Sequence, residues 1–237
     1  MKLSIIVPVY NEQRTIRELL KKLLAVIIKE TVIEIIVIND ASTDRSLDYI
    51  RAAAKRNPKI HVYSHKNNKG KGAAVKTGIQ KALGDYIIIQ DADLEYDPQQ
   101  IGRLVDALDS TGNDVVYGTR LKRFPHLKNE ESRFQFLLHY FGNRLLSLLT
   151  SILYGQWITD METCYKLFPR ASVLHMSLRA KGFEFEPEIT AKLIRAGHTI
   201  KEVPITTKPR GYDEGKKLNT VPDGIKALYM LVNCRFS

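Results

Sequence analysis

The chain has 237 residues, 44% hydrophobic and 26% charged, which suits one globular domain with a sizeable core and excludes a disordered or fibrous protein. Its net charge of +10 points to an anionic partner, yet the basic residues are dispersed and carry no nucleic-acid-binding signature. No signal peptide and no apolar stretch of transmembrane length are found, and two cysteines, Cys164 and Cys234, make neither a disulfide framework nor a zinc set.

Short apolar or β-branched runs recur in the N-terminal half: 3–9 (LSIIVPV), 33–38 (IEIIVI), 60–65 (IHVYSH), 86–91 (YIIIQD) and 114–118 (DVVYG). Helical patterns fall between them at 12–28, 44–56, 71–83 and 98–110. Strand and helix alternating at this rhythm predict βαβ units, hence an α/β fold with a mostly parallel sheet flanked by helices. Asp97 before Pro98 reads as a helix N-cap followed by proline at the first helical position.

The loops after the strands carry the chemistry. The first strand runs into Pro8-Val9-Tyr10-Asn11-Glu12 and not into G-x-G-x-x-G, which argues against a dinucleotide site. Gly70-Lys71-Gly72 opens a helix, but Lys71 is not followed by Ser or Thr, so the P-loop pattern is absent. No G-x-S-x-G elbow occurs. The fourth strand delivers Asp91 and Asp93, whose i, i+2 spacing on extended chain aims both carboxylates one way. Such a pair suits a hard divalent cation shared with substrate phosphates; a solvated acidic loop is the plain alternative.

Two later regions leave the α/β rhythm. Residues 119–132 are polar and read as a loop, and 133–155 follow as an apolar helix interrupted by Arg133, His139, Gly142, Asn143 and Arg144. Those polar groups exclude a spanning helix and leave two placements, on a membrane surface or packed on the sheet. Residues 208–222 are polar and glycine-bearing, a stretch expected to order around a ligand.

Taken together, IIVPVYNE at 5–12, VINDASTD at 37–44, NKGKGAAVKTG at 68–78 and QDADLEYDP at 90–98 resemble the family 2 glycosyltransferases of the GT-A fold. TDMETCYKLF (159–168), FEFEPEITAKL (183–193) and RGYDEGKK (210–217) narrow the resemblance to the branch of dolichyl-phosphate mannose and glucose synthases and bacterial polyprenyl-phosphate glycosyltransferases.

The resemblance implies one GT-A domain over 1–237, with a nucleotide-sugar half at 1–118 and an acceptor half from 119 that carries a C-terminal extension. Pro8, Tyr10, Glu12 and Asp40 would line the nucleotide pocket, and Lys71 would lie near the base or the diphosphate. Asp91 and Asp93 would hold Mg²⁺ or Mn²⁺, with Glu95 as a third ligand. Arg210, Lys216 and Lys217 would close over the diphosphate. Arg120, Arg133 and Arg144 are the candidates for an acceptor phosphate, since a planar guanidinium pairs bidentately with phosphate.

The implied activity is inverting transfer of a sugar from a UDP- or GDP-linked donor to a polyprenyl or dolichyl phosphate. The implied location is the cytoplasmic face of a membrane, where a membrane-protein partner is left open. Transfer to a sugar hydroxyl is the alternative and needs a general base, for which Asp160 or Glu162 is placed. A non-catalytic nucleotide-sugar-binding module is the remaining option.

Overall fold

The computed structural model describes residues 1–108, 115–120, 133–208 and 220–236, with 133–139 and 220 as backbone alone. The apolar runs become strands: β1 (Lys2–Val9), β2 (Val32–Asn39), β3 (Ile60–Ser64), β4 (Tyr86–Ile89) and β5 (Val115–Thr119). Between them stand α1 (Ile16–Leu24), α2 (Ser46–Arg56), α3 (Lys71–Lys81) and α4 (Ile101–Asp106). The second half adds α5 (Arg133–Tyr154), β6 (Lys166–Pro169), α6 (Arg170–Leu174), α7 (Phe185–Arg195), β7 (Ile200–Pro204) and α8 (Thr220–Phe236).

The seven strands form one sheet in the order β3-β2-β1-β4-β6-β5-β7. Six run parallel; β6 alone pairs antiparallel, with β4 on one side and β5 on the other. The central strands have both faces covered. Ile5, Ile6 and Val7 of β1 and Ile87, Ile88 and Ile89 of β4 are fully buried. Burial of each such side chain stabilises the fold by about 1.5–3 kcal/mol, which is why these strands read as unbroken apolar runs.

Several expected boundaries shift for local reasons. Helix α1 begins at Ile16 and not at 12, because the Glu12 side chain turns back to accept from the Thr15 hydroxyl and its amide donates to Ser46 Oγ. Asp97 accepts from the Gln99 amide, but the helix it caps opens as a short 3-10 turn at Pro98–Gln100 and α4 ends at Asp106. The apolar helix α5 packs one face and exposes the other. Leu146, Ser147 and Thr150 are buried, whereas Phe141, Leu145 and Ile152 are exposed. Among the described residues no helix is long and apolar enough to cross a membrane.

Strand order reverses between β1 and β4: β2 and β3 lie to one side, and the later strands to the other. In open α/β sheets that reversal leaves a crevice beyond the carboxyl ends of the strands. Pro8 to Glu12 leave β1 there, and Asp91 to Glu95 leave β4 beside them. Among the described residues, three of the four non-glycine residues with positive φ lie in loops after the carboxyl ends of β1, β2 and β4: Asn11 (51°), Ala41 (58°) and Leu94 (64°). Left-handed backbone costs about 1 kcal/mol or more per residue and gathers where a loop is shaped for a ligand.

Candidate active site

The crevice is a cavity of about 380 Å³ lined by residues from both halves of the sheet. Among the described residues, seven acidic residues line it (Glu12, Asp40, Asp91, Asp93, Glu95, Glu162 and Glu186) against two basic ones, Lys71 and Arg120. Clustered carboxylates of this kind suit a hard cation.

The acidic turn after β4 is braced from beneath. Buried Gln90 donates from Nε2 to the carbonyls of Asp91 and Tyr96, and its Oε1 accepts from the Tyr165 hydroxyl at 2.6 Å. The Asp91 carboxylate lies 2.8 Å from Lys71 Nζ. Burial pushes this carboxyl up, but the Lys71 ammonium outweighs it and holds the group below its usual range. Burial likewise raises the neighbouring Cys164 thiol well above its ordinary value, so it stays protonated beside Asp91.

Asp93 Oδ1 accepts from the Glu95 amide at 3.1 Å. Glu95 lines the same cavity, but among the described residues no three His, Cys, Asp or Glu side chains converge as a metal-binding group. Asp91, Asp93 and Glu95, the three residues expected at a metal, nonetheless share one wall of the cavity. Mg²⁺ commonly takes one or two carboxylates and completes its shell with phosphate and water, so the pair still fits a divalent cation held jointly with a diphosphate.

Lys71 is the first residue of α3, where exposed amides favour anions. Its ammonium also stands 3.1 Å from Glu186 Oε1, and so ties α3 to the β4 turn and to α7. Gly70 before it has φ 92°, and a Cβ there would come within 2.4 Å of the Lys181 carbonyl, so only glycine fits. The same turn accounts for Asp40. Its carboxylate accepts from the amides of Lys69 and Gly70 and from His65 Nδ1 at 2.6 Å, so it anchors the entry to α3 while lining the cavity. Pro8, Tyr10 and Glu12 line the cavity from the β1 side.

On the opposite side, Arg120 follows β5 and is held by Asp160. Its Nε and Nη2 donate to the two carboxylate oxygens at 2.8 Å each, and its backbone amide donates to Oδ2 at 2.9 Å. Asp160 is fully buried, and this guanidinium overcomes the effect of burial to keep its carboxyl low. The residue expected as a general base is thus committed to orienting Arg120. Of the other acceptor candidates, Arg144 is exposed on α5 over the Tyr140 ring and does not line the cavity. The Arg133 side chain, and Arg210, Lys216 and Lys217, lie outside the described residues.

The sequence reading missed a buried ion cluster behind the cavity. Lys166 of β6 is fully buried, with Nζ 2.8 Å from Glu186 Oε2 and donating to the carbonyls of Met161 and Thr163. TDMETCYKLF and FEFEPEITAKL contain both residues, but Lys166 lies on β6 and Glu186 on α7, and only the folded chain brings them together. Phe183, also in that second motif, lines the cavity wall and went unassigned.

Comparison with known proteins agrees with this geometry. The family model for glycosyl transferase family 2 matches residues 4–175. The low-salt glycan biosynthesis hexosyltransferase Agl6 of Haloferax volcanii is 29% identical over 98% of this chain, which spans 53% of that protein's length. The UDP-N-acetylglucosamine–dolichyl-phosphate N-acetylglucosaminyltransferase of Methanococcus voltae is 29% identical over 96% of this chain and 94% of its own. Among solved structures, glucosyl-3-phosphoglycerate synthase of Mycobacterium tuberculosis, in complex with Mn²⁺, UDP and phosphoglyceric acid, superposes with a TM-score of 0.74 at 18% identity. That match covers 99% of this chain and 78% of the synthase, and it establishes the shared fold.

Proposed function

The chain belongs to glycosyl transferase family 2, and from that premise we propose that it moves a sugar from a nucleoside diphosphate donor to a polyprenyl or dolichyl phosphate. The observation that carries this reading is Arg120. Its guanidinium belongs to the cavity that holds Asp91 and Asp93, while Asp160, one of the two candidate bases, is locked against it. A site with an oriented cation and a committed base suits an acceptor oxygen that is already ionised. The Methanococcus voltae relative, by its name, uses a UDP-sugar and dolichyl phosphate.

In this reading Pro8, Tyr10 and Glu12 hold the nucleotide at the β1 side, and Asp91 and Asp93 would hold Mg²⁺ or Mn²⁺ beside its diphosphate. Such an ion would supply positive charge to stabilise the departing diphosphate. Arg120 brings the acceptor phosphate to the far face of the sugar, so attack at the anomeric carbon inverts its configuration. Arg210, Lys216 and Lys217 add positive charge over the leaving group, as the resemblance implies. Incubation with a panel of radiolabelled nucleotide sugars and polyprenyl phosphate, followed by organic extraction, tests the reading. Label in the organic phase is expected; label only in a water-soluble product overturns it.

Arg120→Ala is expected to lower kcat/KM for the lipid phosphate about 10²-fold, from loss of charged hydrogen bonds worth roughly 1.5–3 kcal/mol. Asp160→Asn keeps the guanidinium but loosens it, and a loss of about tenfold is expected. Steady-state kinetics decide: a silent Asp160→Asn beside a healthy Arg120→Ala would favour a hydroxyl acceptor. One observation speaks for that second reading, because Glu162 lines the cavity and burial pushes its carboxyl up to about 7, a suitable value for a base.

The lipid reading also places α5 and α8 at a membrane surface. The two helices pack together, and Phe141, Leu145, Ile152, Ile225, Tyr229 and Phe236 on them are exposed. Sedimentation with anionic liposomes should show binding that weakens with salt, given the net charge of +10. Ile152→Asp should reduce it severalfold at constant salt, since a charge is unfavourable in the apolar region. Equal sedimentation of both proteins would remove the membrane from the proposal.

A further inference from the structure

A second cavity, of about 240 Å³, lies between α5 and α8 and is walled mainly by Leu145, Leu146, Leu149, Val221, Ile225 and Leu228. It meets the polar cavity at two residues that line both, Glu162 and Phe183. An amphipathic acceptor, with a phosphate at one end and a hydrocarbon at the other, has to change environment at that junction. Glu162 Oε1 is buried there and has no hydrogen-bond partner among the described residues. A buried carboxyl oxygen without a partner is costly, and a ligand that completes its hydrogen bonding removes the cost.

Resting on the lipid-phosphate reading, we propose that the Glu162 carboxyl donates a hydrogen bond to a non-attacking oxygen of the acceptor phosphate as the acceptor passes from the apolar to the polar cavity. The surroundings give it the proton. Burial raises this carboxyl to about 7, opposed by Lys166 on β6, reinforced by Glu186 on α7, opposed again by Arg120 after β5 and reinforced by Asp160 on its own loop. Asp223 of α8 adds a further acidic group across the apolar cavity.

Protonated, Glu162 is a neutral donor that steadies the phosphate against Arg120; ionised, it repels the phosphate. Its proton stays on it throughout. The acceptor oxygen forms the new bond to the anomeric carbon, and the electron pair of the broken bond leaves with the nucleoside diphosphate.

The two acceptor readings then predict opposite pH dependence. As a donor to phosphate, Glu162 makes activity fall as pH rises through about 7; as a base for a hydroxyl, it makes activity rise over the same range. Farnesyl phosphate is a suitable soluble acceptor for measuring kcat/KM from pH 5.5 to 9. The wild type should lose about tenfold per pH unit above neutrality, reaching about 10²-fold at pH 9, the slope of a single essential proton. Glu162→Gln keeps an N–H donor, so it should stay within about threefold of wild type near pH 6.5 and remain level above 7.

Thermal melting gives a readout independent of turnover. The folded carboxyl sits near 7 against an ordinary 4.5, so the folded state binds more protons between these values and stability falls as pH rises across that window. Glu162→Gln should therefore match wild type at pH 4.5 and melt higher at pH 8. Parallel pH profiles for the two proteins, or a 10²-fold loss in Glu162→Gln at pH 6.5, would overturn the hydrogen bond. No organic-phase product from either protein at any pH overturns the lipid-phosphate reading and the phosphate partner with it. The melting titration then still reports whether Glu162 holds the proton.

Discussion

Asp91→Asn or Asp93→Asn is expected to lower sugar transfer by about 10³-fold or more, with the fold intact. The magnitude follows from the several kcal/mol of charge stabilisation that a bound divalent cation supplies to a leaving diphosphate. The turn that carries the pair is braced by Gln90 and Tyr165, neither of which is altered. Lys71 retains Glu186 at 3.1 Å when the Asp91 charge is removed, so no uncompensated ammonium is left to unfold the site. Turnover with Mg²⁺ or Mn²⁺ should vanish in excess EDTA, and far-ultraviolet circular dichroism should be unchanged in both variants. Full turnover in EDTA would defeat the metal assignment.

Lys166→Met should destabilise the protein by about 3–5 kcal/mol, the usual cost of leaving one member of a buried ion pair behind. Glu186 would keep only Lys71, and the carbonyls of Met161 and Thr163 would lose a donor inside the core. For a chain of this size the melting temperature should fall by roughly 10 °C. The double variant Lys166→Met with Glu186→Gln should recover a large part of that loss, because it removes the orphaned charge too. Additive losses in the double variant would show that the pair does not act as a unit.

The parts of the site that lie within one loop were legible from residue order alone. Asp91 and Asp93 are separated by one residue at the end of an apolar run, so extended-chain geometry already aims them together. Parts that depend on strand pairing were not legible. Lys166 is a lone charge in a four-residue strand, and nothing in KLFP announces that β6 inserts antiparallel between β4 and β5. Asp160 could be read as a base because its partner, Arg120, is forty positions away; the structure spends both its carboxylate oxygens on that arginine.

Local periodicity and turn chemistry thus determined the α/β class, the first five strands and the loops that bear the acids. These depend on contacts between near neighbours and on which faces must be apolar. Tertiary packing alone decided the order of the strands and the engagement of Asp40 with His65 and the Gly70 turn. It also decided the meeting of a polar and an apolar cavity at Glu162. The reason is electrostatic and steric: a carboxyl's role is set by the charges and the dielectric around it in space, and residues distant in the chain supply both.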